Sequence, residues 1–146
     1  MKQTVFLTGH RKSGTTLLKS LLDGHPNISS YPTDLTLMYS YFPHVKLKKY
    51  PKNILIKKIL SDVLHSLKLV NKYTKYKKKD LYNFKAQLKK KLVNINLLSE
   101  KQVLNTVINC WKYHFKKEKK KIFLFKETTQ SMNYKLLKKI FPNIKI

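Results

Sequence analysis

The chain has 146 residues, enough for one buried core, and a formal charge of +25. Its single cysteine excludes a disulfide framework and a cysteine metal cluster, and no apolar run approaches the roughly 20 residues of a membrane span. The charge is almost wholly lysine, with one arginine and one alanine in the chain. That skew is what an AT-rich coding sequence produces, and readers of nucleic acid favour arginine for bidentate contacts, so specific nucleic-acid binding does not follow from it. Weak polyanion binding at low salt does.

The first element is a short apolar strand, Val5-Phe6-Leu7, too short for a secretory signal and followed by no small-residue cleavage site. Gly9-His10-Arg11-Lys12-Ser13-Gly14-Thr15-Thr16 comes next, holding two of the three glycines and the only arginine. A helix from about Thr15 to Asp23 carries Leu17, Leu18, Leu21 and Leu22 on one face, with Gly24 as its C-cap. His25-Pro26 forbids continuation, and His25 reads as a turn residue. A second, short helix is expected after Pro32-Thr33-Asp34, capped by Thr33 or Asp34 and ended before Pro43.

A long helix is expected from about Pro51 to Val70, with Ile56, Ile59, Leu60, Val63, Leu64 and Leu67 as its stripe. The segment Lys72 to Lys79 interleaves bases and aromatics as a single-strand binder does, but a solvated linker or helix face is the plainer account. Asp80 caps a helix with Leu81, Phe84, Leu88 and Leu92 inward. Ser99 opens another, with Leu104, Val107, Ile108 and Trp111 facing the core, and Cys110 reads as a buried thiol on it. Ile122-Phe123-Leu124-Phe125 is the only other convincing strand, apolar at every position as a central strand would be. A helix from about Met132 to Ile140 and a strand from Ile144 complete the pattern.

The order gives an α/β fold: a P-loop-like three-layer core with a parallel sheet and a large helical insertion over about 33–120, all within one domain, residues 1–146. Ligands of such sheets lie at the carboxyl ends of the strands. Strand, tight loop and helix N-terminus together make an anion site, because backbone amides and the helix dipole converge on it. The glycine spacing and Thr16 match the P-loop pattern, whereas Thr15 stands where its lysine belongs. The loop's cations are Arg11 and Lys12 instead.

These residues, followed by Leu21-Leu22-Asp23-Gly24-His25-Pro26-Asn27-Ile28, resemble the N-terminal signature of sulfotransferases that use 3'-phosphoadenosine 5'-phosphosulfate. A supporting similarity lies in Phe123-Leu124-Phe125-Lys126-Glu127-Thr128 and Phe141-Pro142-Asn143-Ile144-Lys145-Ile146. The resemblance implies sulfuryl transfer to a hydroxyl or amine on a small-molecule or glycan acceptor and requires no metal; the cytoplasm is the default compartment. It implies a cofactor-binding set of Arg11, Lys12, Ser13, Gly14, Thr15 and Thr16. Lys12 matches the loop's catalytic cation, and Glu127 is the expected general base. A Glu127 that caps a helix or pairs with a lysine is the alternative, with His10 as a second base. The family's 3'-phosphate segment, an Arg-Asp-Pro-Arg-like turn and a later serine, would follow the strand at Ile144, so the expectation is an N-terminal portion holding half of the cofactor site.

Two other classes stand beside this one. A kinase-like nucleotide-binding P-loop protein needs a magnesium carboxylate at the end of the next strand, and the sequence reading finds none there. A basic nucleic-acid-binding module needs its lysines on one face. The variable helical region between the strands is expected to shape the acceptor pocket.

Overall fold

The computed structural model describes residues 3–10, 12–34, 50–74, 77–96, 98–115, 121–127, 135, 138–139 and 142. Its elements in chain order are β1 (Gln3–Thr8), α1 (Thr15–Asp23), β2 (Ile28–Asp34), α2 (Lys52–Thr74), α3 (Lys78–Val93), α4 (Glu100–His114) and β3 (Ile122–Glu127). They form two compact units, Met1–Leu35 with Lys117–Ile146, and Thr36–Lys116. The fold is α/β, with a parallel sheet and the P-loop-like core expected from the sequence. No helix among the described residues is long and apolar enough to cross a membrane.

In the first unit the sheet order is β1-β3-β2, all parallel. The apolar run of β3 explains its central place: Phe123, Leu124 and Phe125 are all buried, and successive side chains of a strand point to opposite faces. Phe6 of β1 meets Phe125 edge-on at 4.8 Å, an arrangement that aromatic quadrupoles favour. Register along β1 is continuous, from Gln3 opposite Ile122 to Thr8 opposite Glu127.

β2 corrects the sequence reading, which placed no strand there and used Thr33 or Asp34 only as the cap of a helix beginning after them. Residues 28–34 are strand, and the helix expected beyond Asp34 lies outside the described residues. The strand is concealed because its buried positions include Ser29 and Ser30 beside Tyr31, leaving no run of large apolar residues. It also contains Pro32, which cannot donate to a ladder and belongs at irregularities. The pairing with β3 shifts there: Ser30 lies opposite Leu124, and Asp34, four residues on, lies opposite Lys126. The expected helix over Met132–Ile140 and the strand from Ile144 fall mostly or wholly outside the described residues.

The second unit is a set of helices that carries out the periodicity of its sequence. Ile56, Ile59, Leu60, Val63 and Leu67 of α2 are buried, as are Leu81, Phe84, Leu88 and Leu92 of α3. On α4 the buried set is Val103, Leu104, Val107, Ile108, Cys110 and Trp111. Trp111 stacks within 4.0 Å of Phe115 and meets Phe84 edge-on at 5.8 Å. Lys52 at the start of α2 donates from Nζ to the Val93 carbonyl at the end of α3, at 2.6 Å, fastening the two as an antiparallel pair. α3 begins after Lys77, so Asp80 stands in its first turn, where a carboxylate favours the dipole, rather than at the cap.

Ser99 does cap α4. Its hydroxyl accepts from the Gln102 amide, and Gln102 Oε1 accepts from the Ser99 amide, a reciprocal capping box. Ser99→Ala should therefore cost about 1 kcal/mol of unfolding free energy, with Ser99→Asp recovering most of it, as read by urea denaturation.

Candidate functional site

β1 delivers the chain to the C-terminal edge of the sheet, and the loop turns at once. Ser13 donates to the His10 carbonyl from both its amide, at 3.2 Å, and its hydroxyl, at 2.7 Å. Gly9 is required by space: a Cβ there would lie 2.9 Å from Ser13 Oγ and from Thr15 Cγ2. Gly14 is required by conformation, since its φ of 80° is left-handed although nothing lies within 4 Å of its Cβ position. Lys12 also stands at positive φ, 64°, where a side chain costs on the order of 1–2 kcal/mol. Strain of this kind gathers where a loop must hold a functional shape.

α1 starts on Gly14, which offers no side chain to cap the helix. The first-turn amides have no intrahelical carbonyl to meet, so the helix presents N–H donors and the positive end of its dipole. Thr15 is buried; Thr16 stands exposed beside it. His25, after the helix, accepts from the Asn27 amide at its Nδ1, 3.1 Å, the turn role expected of it.

Sequence reasoning gave no role to the group that ties this edge together. Lys126, near the end of β3, is 6% exposed, and its Nζ donates to Thr16 Oγ1 at 3.1 Å and to Asp34 Oδ1 at 2.8 Å. The helix N-terminus, the central strand and the end of β2 thus meet in one buried ammonium. The sequence signal was slight: a lone lysine closing an apolar strand, and an aspartate that resembled a cap. Three parallel strands carry Thr8, Asp34 and Glu127 to this one edge.

Of the expected site residues, the structure brings Ser13, Gly14, Thr15 and Thr16 together with Lys12 at the loop. Glu127 ends β3 opposite Thr8 in register, and Arg11 lies outside the described residues. Cys110 is buried in the second unit, where desolvation pushes its thiol up and outweighs the lowering by Lys91, keeping it protonated.

A second lysine, Lys19, anchors α1 on β2. Its Nζ donates to the Pro32 carbonyl at 2.6 Å, where the irregular pairing frees it, while Asp23 Oδ1 accepts from the Ser30 amide at 3.1 Å. Burial pushes the Lys19 ammonium below its ordinary value of 10.5; Asp23 raises it, Lys126 lowers it, and Asp34 raises it. Thr15, Lys19 and Leu22 consequently form the face of α1 turned to the sheet, and Leu17, Leu18 and Leu21 are exposed.

The sulfotransferase family model matches residues 4–146, and the chain belongs to that family. No curated protein and no solved structure matches the chain.

The Lys19 shift sets a pH dependence. With the folded value lowered, the unfolded chain binds more protons between that value and 10.5, so this group's contribution to stability rises with pH across that window. The stability of the native chain relative to a Lys19→Met variant should increase as the pH rises towards 10.5, measured by urea unfolding; a difference that is flat or falls would contradict it.

Proposed function

We propose that this sulfotransferase-family chain takes its sulfuryl group from 3'-phosphoadenosine 5'-phosphosulfate and passes it to a hydroxyl or amine acceptor. The observation that carries the reading is the left-handed Gly14 loop opening α1, with a buried ammonium, Lys126, on the first-turn threonine. A dianionic phosphosulfate suits such a site: amides, hydroxyls and cations converge, and each is fixed before ligand arrives. The Thr8 hydroxyl, buried at the foot of the loop without a protein hydrogen-bond partner, adds a further polar group to the floor.

The chain's own residues then have distinct tasks. The amides of Gly14, Thr15 and Thr16 hold the 5'-phosphate, with both threonine hydroxyls as extra donors, while Ser13 keeps the turn closed. Lys12 stabilises the charge that grows on the bridging oxygen as the sulfur–oxygen bond breaks, with Arg11 as the assisting cation expected from the sequence. Lys126 orients the Thr16 hydroxyl and adds positive potential from within. A carboxylate at the same edge takes the acceptor proton. Glu127 holds that position at the end of β3, and Asp34, the more exposed partner of the Lys126 pair, is the second carboxylate within this edge.

The kinase-like reading draws less support. Asp34 ends β2, where a magnesium carboxylate would be wanted, but it is paired with Lys126 at 2.8 Å, and a metal would have to displace that ammonium.

Lys12→Ala should lower sulfuryl transfer by about 10²–10³-fold while donor binding weakens yet stays measurable. Glu127→Gln and Asp34→Asn separate the two carboxylates: the general base loses roughly 10²–10⁴-fold and its pH–rate limb, and the other does not. Unchanged turnover in Lys12→Ala would remove the assignment of the loop.

A further inference from the structure

The helical unit has a groove whose lining includes none of the residues given a task in sulfuryl transfer above. It runs between α2 and α3 with a volume of about 850 Å³, within the range of small-molecule sites. Its floor is apolar: Ile56, Leu60 and Leu64 recur every four residues along α2, and Val93 of α3 faces them. Along its rim stand Lys57 and Lys68 from α2 and Lys85 and Lys89 from α3, and none of its described lining residues is acidic. The Lys52 contact with the Val93 carbonyl closes one end.

We infer that this groove binds a long-chain anionic amphiphile, its single alkyl chain on the Ile56-Leu60-Leu64 floor and its acidic head among the rim lysines. Charge settles the sign of the occupant: four ammonium groups around an apolar trough favour an anion, and a second copy of this chain, at +25, is repelled. The floor settles the other end of the occupant: Ile56, Leu60 and Leu64 lie in one row over about 12 Å of α2 at the helical rise, a length that an alkyl chain covers. A small free anion would leave the apolar floor wet.

The inference is independent of the sulfuryl-transfer assignment and is tested by binding alone. Laurate, below its micellar concentration, is titrated into the native chain by isothermal calorimetry, with acetate and dodecyl maltoside as the head-only and neutral-chain comparisons. One-to-one saturation by laurate is expected, with acetate silent and dodecyl maltoside about tenfold weaker or more. Leu64→Asn should weaken laurate by about tenfold, as should Lys85→Glu with Lys89→Glu, whereas Lys78→Glu with Lys101→Glu, the same charge change outside the groove, should not. Circular dichroism checks that each variant keeps its helices, and the charge pairs lie at exposed positions, so they carry the test if Leu64→Asn unfolds. The inference is overturned by equal losses in the two charge-reversal pairs, by equal binding of dodecyl maltoside, by an acidic peptide outcompeting laurate, or by many laurates per chain.

Discussion

One buried ammonium holds the sheet edge in place. Taking a lysine out of water costs several kcal/mol unless its protons are received, and Lys126 spends two of them on the Asp34 carboxylate and the Thr16 hydroxyl. Because β3 is flanked by β1 and β2, a single side chain near its end can reach the strand on one side and the helix that follows the other. The position of α1 relative to the sheet is thereby fixed at its first turn, where the anion-directed amides lie. Removing Asp34 would leave the buried Lys126 ammonium without its counter-charge, which is more costly than the pair itself is stabilising. Among the described residues Lys126 is the one charged side chain that is buried, and it stands beside the loop.

Lys19 extends the same logic one turn further along the helix. Two ammonium groups on one sheet edge repel, and Lys126 indeed depresses Lys19. Asp34 and Asp23 offset that repulsion, and the carbonyl of Pro32 receives the Lys19 proton that no ladder neighbour needs. The price of this arrangement shows on the other side of α1. An amphipathic helix ordinarily turns its leucines inward, but here Thr15, Lys19 and Leu22 take that place and Leu17 and Leu21 remain about two-thirds exposed. Polar anchoring has overridden local hydrophobic patterning, as functional edges often require.

That override marks where the sequence could and could not be read. The loop, α1, β3 and the three long helices were legible because each is specified locally: glycines where φ is positive, leucines at helical spacing, a serine three residues before a glutamine. His25 and Cys110 likewise behave as their neighbours dictate. β2 was illegible because small buried serines and a proline stand where an alternating apolar pattern announces a strand, and its pairing with β3 joins residues nearly a hundred positions apart. The Lys126–Thr16 contact is longer still, with 110 positions between partners. Neither a lysine after an apolar run nor an aspartate after Pro32-Thr33 carries, in one dimension, any sign of the other. The candidate base shows the consequence: Glu127 was visible from its place at a strand end, and Asp34 only once β2 had been laid beside β3.

The lysine excess has to be divided the same way before it says anything about chemistry. Among the described residues most of it is exposed, and an exposed lysine on a chain of charge +25 contributes chiefly to a long-range attraction for anions that salt removes. Such a field raises the encounter rate of any polyanion and selects none. Lys126 differs because it has been desolvated and given two fixed partners, so its field acts at short range and does not depend on ionic strength in the same way. Lys12 differs again, because a left-handed backbone holds it at the loop at an energetic cost that exposure alone would not justify. Composition set the number of lysines; burial, strain and partners set Lys126 and Lys12 apart from the rest.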